Sequence, residues 1–208
     1  LKNYLAHVRE VEGVNVVTGK EVDAAFAHEE KPDVVIVSTG SKRPGLAASG
    51  SSATPVIGVT DSLSAEIGNN VVAVLGFNAQ TVDTAHYLTA QGKKVTIVSD
   101  EPEEAFGTGQ SMMLDKFVEP VFLAAGGSVR SESKLKSVGD GEVVLTTSFG
   151  VDITAPCYCV VDASNMVAGT SLADELSGDF DVVAVGDCPT PLNIQNAITT
   201  ANLAARRC

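Results

Sequence analysis

The sequence predicts an α/β protein: a Rossmann-like parallel sheet with helices, into which a second nucleotide-binding unit carrying an antiparallel meander is inserted. Three observations predict it. The segments DVVIVST (33–39), VVAVLG (71–76), KVTIVSD (94–100) and DVVAVGD (181–187) are unbroken β-branched runs, which suit strands buried on both faces. A helical apolar pattern over 79–92 joins two of these runs, giving the strand–helix–strand crossover of a parallel sheet. Residues 142–148 and 151–155 instead alternate about Phe149-Gly150, the pattern of an antiparallel hairpin.

The elements follow in order. Leu1, Tyr4, Leu5, Val8 and Val11 recur at helical spacing, with Gly13 placed to stop the helix, and VNVV (14–17) reads as a short strand. Strand 33–39 ends at Gly40 and is followed by a turn-rich stretch, 41–55, read as a loop or a crossing between domains. In helix 79–92, Val82, Ala85, Leu88 and Thr89 share one face and Gly92 terminates it. Beyond strand 94–100 come a helix over 110–125, a Gly126-Gly127 turn into a strand, the hairpin, and strand 157–164. A polar stretch leads to strand 181–187 and a final helix from about Leu192 to Ala205. Residues 1–67 and 169–208 are thus expected to form one domain, which the resemblance described below implies to lack its first strand–helix–strand unit, and 68–168 the inserted one.

Composition narrows the function. Fourteen Lys and Arg against 26 Asp and Glu give a net charge of −12, and the cations are scattered singly, so no electrostatic footprint for nucleic acid exists. No apolar run approaches the roughly 18 residues of a membrane helix. The four cysteines are too few and too clustered for a disulfide framework, and a reduced, cytoplasmic setting suits them. Cys157 and Cys159, at i and i+2, read as core neighbours on one strand face. The histidines lie apart, no spacing suits a metal, and no side chain stands out as a catalytic acid or base.

The chemistry-bearing turns lie at strand ends. After strand 71–75 the chain reads LGFNAQT, with Gly76, Asn78 and Thr81 where a phosphate-binding turn wants glycines. Asn78 tolerates the left-handed conformation, Thr81 adds a Cβ at the helix–strand contact, and the helix start through Phe77 and Ala79 still offers N–H groups to an anion. The competing reading is a doubly wound unit that has lost its ligand. Ser99 and Asp100 occupy the ribose position, with no neighbouring Arg or Lys for a 2′-phosphate, which favours NADH over NADPH; the alternative is a solvated acidic loop. Thr39-Gly40 and Gly186-Asp187 end the other two strands, and Asp187 can meet a sugar hydroxyl or cap the following helix.

The set STG (38–40), GFNAQTVDTAHYLTAQGKKVTIVS (76–99) and VAVGDC…NAI (183–198) resembles the two-dinucleotide-fold flavoprotein reductases. Within them it most resembles the C-terminal part of the NADH:flavin oxidoreductases related to 2,4-dienoyl-CoA reductase, trimethylamine dehydrogenase and NADH oxidase. The resemblance implies an oxidoreductase fragment of a longer chain, in which missing N-terminal domains carry FMN and an iron–sulfur cluster. It implies NAD(H) in the inserted domain, its phosphates over Gly76, Phe77, Asn78, Ala79 and Thr81 and its ribose on Ser99 and Asp100. It implies FAD in the complete protein, against Thr39, Gly40, Gly186 and Asp187, held weakly or not at all by this piece. NADH would pass a hydride to flavin; the alternative is a degenerate module that binds ADP or nothing and acts as a spacer or docking domain. Asn165 stands where relatives have a glycine after the last inserted strand.

Overall fold

The protein is described from a computed structural model covering residues 2–48, 50–51, 53–67, 71–105 and 119–208. It divides into two compact units, Leu1–Ser41 with Ala168–Cys208, and Lys42–Val167.

The first unit opens with α1 (Lys2–Glu10), which buries no residue. The expected strand at 14–17 does not form; residues 14–18 carry no regular structure, and Val14, Val16 and Val17 are exposed. A short valine-rich run has no partner strand there, and propensity alone does not make a ladder. Instead the chain forms α2 (Ala24–Glu30), which sequence periodicity did not reveal because its one turn-and-a-half is alanine-rich. Asp23 caps it, accepting from Phe26 N–H at 2.8 Å, and Lys31 ends it in the left-handed region. β1 (Val34–Val37) follows, then β2 (Ser41–Lys42).

The second unit carries the larger sheet. β3 (Val56–Gly58) and the short α3 (Val59–Ser62) lead to β4 (Val71–Leu75), α4 (Ala79–Ala90) and β5 (Lys94–Val98). The crossover therefore stands as expected, with Val82, Ala85, Leu88 and Thr89 buried on α4. The helix expected over 110–125 is described only as α5 (Glu119–Ala124), the rest lying outside the described residues with Met112 and Met113. β6 (Ser128–Arg130) completes the parallel sheet. A three-stranded antiparallel meander follows, β7 (Ser133–Val138), β8 (Glu142–Thr147) and β9 (Asp152–Pro156). The expected hairpin is thus the second half of the meander. β10 (Cys159–Asp162) then returns to the centre of the parallel sheet, giving the order β3-β10-β4-β5-β6.

The chain leaves through β11 (Val167–Ala168), which pairs with β2, into α6 (Ser171–Leu176), β12 (Asp181–Ala184) and α7 (Ile194–Ala205). β1 and β12 pair in parallel around a small core of Val37, Ala173 and Cys188. The first boundary between units falls at 41/42 rather than the expected 67/68. The reason is the pairing of β3 with β10, Val56 opposite Val160, which draws residues 56–58 into the inserted sheet. Among the described residues no helix is long and apolar enough to cross a membrane.

Cys157 and Cys159 are both buried, but on opposite sides of the sheet. Cys159 packs with Val74, Ile97 and Val161, and Cys157 with Ala73, Leu145 and Val160. The chain enters β10 through an irregular Tyr158, which breaks the alternation that would have put both thiols on one face.

Leu88 is fully buried in the cluster with Val74, Val95, Ile97 and Phe122. Leu88→Ala is expected to cost about 2–5 kcal/mol in urea unfolding; a loss below about 1 kcal/mol would contradict this packing.

Candidate functional site

The sheet of the Lys42–Val167 unit reverses its winding between β4 and β10, and ligands of open α/β sheets bind outside the carboxyl ends of strands at such a switch point. Gly76 sits there at φ +124°, and a Cβ on it would lie 2.5 Å from the Ala163 carbonyl oxygen and 2.7 Å from Thr81 Oγ1. The first glycine position therefore requires glycine for both conformation and space.

The second and third positions behave differently from the expectation. Asn78 is not left-handed; its backbone is extended (φ −85°, ψ 175°) and it is the N-cap of α4, its Oδ1 accepting from Thr81 N–H at 3.1 Å. Its Nδ2 donates to Ala163 O at 2.7 Å and to Asn165 Oδ1 at 3.0 Å. Thr81 does not disturb the helix–strand contact: it is fully buried and its hydroxyl donates to Ala163 O at 3.2 Å. Asn78, Thr81, Ala163 and Asn165 thus form one hydrogen-bonded bridge across the crevice. Ala79 and Gln80 keep first-turn N–H groups with no acceptor within the helix. Phe77 turns its side chain into the core, 4% exposed, so only its backbone borders the site.

Beside the bridge lies an open cleft of about 290 Å³, lined by Gly76, Ser99, Asp100, Lys134, Ser164 and Asn165 among others. The structure brings Gly76 and Asp100, far apart in sequence, into this one cleft. Ser99 is buried and committed to the fold, its Oγ accepting from Glu101 N–H at 3.1 Å. Asp100 is exposed and pairs with Lys134, Nζ to Oδ2 3.1 Å. This overturns the reading that no cation stands near the ribose position; Lys134 arrives from β7, where no local motif could announce it. Arg43 was also missed. It donates to the Ser164 carbonyl and, at 2.5 Å, to Gln80 Oε1 in the first turn of α4, and among the described residues no carboxylate pairs with it.

An adenine dinucleotide fits this arrangement by its adenosine diphosphate half. The glycine cradle and the first-turn N–H groups suit a diphosphate, and Gly76 and Asp100 line one cleft with Asn165 of the bridge, while Arg43 lines a separate cavity.

In the other unit Thr39 donates to Gly169 O at 2.8 Å, and Gly169 is packed so closely on Gly40 that a Cβ would lie 2.6 Å from the Gly40 carbonyl oxygen. Gly40 and Gly186 both have positive φ, 77° and 66°. Asp187 does not cap α7; Asn193 does, accepting from Asn196 N–H at 2.8 Å, while Asp187 accepts from Leu192 N–H at 3.2 Å and from Ser41 Oγ at 3.4 Å. These groups suit a hydroxyl-bearing ligand chain. Residues 1–41 and 168–208 contain no GxGxxG turn for an adenosine diphosphate half, so FAD fits this unit only in part.

Burial pushes the Cys159 thiol up to about 11, with Cys157 adding repulsion, and burial also raises Cys157. Both are core thiols.

No family model and no curated protein matches the chain. Solved structures do. The complex of 2-naphthoyl-CoA reductase with 2-naphthoyl-CoA is 24% identical, with a TM-score of 0.71 over 94% of this chain and 30% of that one. Histamine dehydrogenase from Rhizobium sp. 4-9 is 17% identical, TM-score 0.74, over 99% and 35%. The ferredoxin reductase of the CYP199A2 system from Rhodopseudomonas palustris is 20% identical, TM-score 0.67, over 83% and 50%. The chain spans about a third of the first two and half of the last.

The geometry carries two expected outcomes. Gly76→Ala should destabilise the protein by about 1–3 kcal/mol in thermal or urea unfolding, from strain at positive φ and the carbonyl contact. A thiol reagent at pH 8 should modify the exposed Cys208 and spare buried Cys157, Cys159 and Cys188, as read by peptide mass. Because the Cys159 thiol titrates near 11 folded against 9.0 ordinarily, its contribution is complete below pH 9 and lost as pH rises toward 11. Cys159→Ala should flatten that loss. The chain shares its Rossmann-like α/β fold with 2-naphthoyl-CoA reductase, histamine dehydrogenase and the ferredoxin reductase.

Proposed function

We propose that the chain is the nucleotide-binding portion of a multidomain flavin-dependent oxidoreductase, in which the Lys42–Val167 unit binds NADH as hydride donor to a flavin. The observation that carries this reading is the open cleft running from Gly76 to Asp100 at the carboxyl ends of adjacent parallel strands. When bound, NADH supplies the hydride; the chain's residues supply position and electrostatics. The first-turn N–H groups of α4 hold the diphosphate, whose charge offsets the helix end. Asp100 accepts from a ribose hydroxyl. In the companion unit, Thr39, Gly40, Gly186 and Asp187 border the flavin.

A second reading is favoured by one specific feature. The Asn78–Asn165 bond ties the start of α4 to the chain after β10 at the glycine turn, and a turn closed in this way suits a unit that holds ADP as a structural ligand. Calorimetric titration separates the two. Binding of NADH with a Kd on the order of micromolar, tighter than ADP by about tenfold or more, supports hydride delivery; equal affinities support the structural-ADP reading. Asn165→Gly, which removes the bridge, should tighten NADH and leave ADP unchanged under the first reading. Absence of binding to both nucleotides would overturn both readings.

A further inference from the structure

The cleft is lined by a cation as well as by the carboxylates of Asp100 and Glu101. Lys134 Nζ stands 3.1 Å from Asp100 Oδ2, and both residues line the cleft that begins at Gly76. The backbone builds this placement. Ser99 N–H donates to Arg130 O at 3.0 Å, Ser133 N–H to Ser99 O at 2.8 Å, and Glu132 N–H to Glu101 O at 2.9 Å. Glu132, at φ 47°, turns the chain sharply between β6 and β7 and is itself held by Ser148 N–H on its carbonyl at 2.8 Å. Ser133 is consequently buried, 4% exposed, and Lys134, next in line, emerges over the end of β5. Three main-chain bonds and one left-handed residue therefore hold Lys134 at the position that follows strand β5.

The side chains themselves are loosely held. Lys134 and Asp100 are 73% and 53% exposed, a setting in which an ion pair contributes little and re-partners at small cost. A ribose carrying a free 2′-hydroxyl finds an acceptor in Asp100. A ribose carrying a 2′-phosphate would be repelled by Asp100 and by Glu101, which also lines the cleft, but Lys134 gives the anion a charge-assisted donor and offsets one of the two carboxylates.

We propose that Lys134 is a specificity-determining residue, through which this cleft accepts nucleotides bearing a 2′-phosphate as well as those with a free 2′-hydroxyl. The proposal rests on the reading that the cleft binds an adenine nucleotide. It reverses the preference that Ser99 and Asp100 suggest when only their sequence neighbours are considered.

The test is calorimetric titration of the 208-residue chain with ADP and with 2′-phospho-ADP, at two salt concentrations. The wild-type chain is expected to bind the two within about threefold at low salt, with 2′-phospho-ADP losing more affinity as salt rises. Lys134→Gln, an exposed position on a strand, should weaken 2′-phospho-ADP about tenfold and change ADP less than threefold. Asp100→Asn should tighten 2′-phospho-ADP and weaken ADP. A wild-type chain that binds ADP but disfavours 2′-phospho-ADP by more than tenfold would overturn the proposal, as would equal effects of Lys134→Gln on both ligands. Failure of the wild-type chain to bind either would instead remove the nucleotide reading itself, and the proposal with it.

Discussion

The site's form depends on one close contact, that of Gly76 with the carbonyl of Ala163. β4 and β10 run side by side at the switch point, and the chain must turn out of β4 without a side chain, because a Cβ would stand 2.5 Å from that oxygen. The same carbonyl then accepts from Asn78 and Thr81, so one backbone oxygen organises the whole mouth. A carbonyl has two lone pairs, and a buried one left short of partners is costly. Here the sharing among two donors ties the start of α4 to the end of β10. The helix can move relative to the sheet only by breaking both bonds. Rigidity at the helix N-terminus is what preorganised anion binding needs, and this bridge supplies it without glycine at the second and third positions.

Charge is distributed with comparable economy. The chain carries a net −12, yet Lys134 lines the cleft that holds Gly76 and Asp100, and Arg43 lines a separate cavity beside Gln80. Long-range repulsion of an anionic ligand by the acidic surface is screened over about 8–10 Å at ordinary salt. Contacts inside the cleft are shorter than that and are governed by the charges that line it, Asp100, Glu101 and Lys134. Lys134 pairs with Asp100, while Arg43, in the separate cavity, donates to a carbonyl and an amide.

The parallel strands and the crossover were legible because each is a local pattern. VVAVL, the α4 face and KVTIV need no knowledge of what packs on them, and the hairpin announced itself through alternation about Phe149-Gly150. What escaped was non-local. β3 became part of the inserted sheet only through pairing with β10, so the unit boundary moved to 41/42. The valines at 14–17 have strand propensity and no partner, while the short α2 is set by its Asp23 cap and α6 by the burial of Ala173 and Leu176 more than by periodicity. Within the site, Gly76, Ser99 and Asp100 were legible as strand-end residues. Lys134 and Arg43 were not, since one depends on the turn at Glu132 and the other on a loop with no motif. Phe77 lay inside the motif and faces the core, a reminder that a turn's backbone and its side chains can serve different ends.

The substitutions at Asn78, Thr81 and Asn165 are best understood together. Each replaces a small residue of the glycine pattern with one that carries a polar group, and in a partly buried crevice each such group must find a partner. They find one another and the Ala163 carbonyl. A single one of these residues, placed in an otherwise glycine-lined mouth, would leave donors without acceptors; the set closes on itself. The closure does not fill the crevice: Asn165, one end of the bridge, lines the open cleft together with Gly76, Asp100 and Lys134. Polar residues at this turn are therefore compatible with an open strand-end cleft, because their hydrogen bonds close among themselves and on the Ala163 carbonyl and leave the Asp100–Lys134 pair untouched.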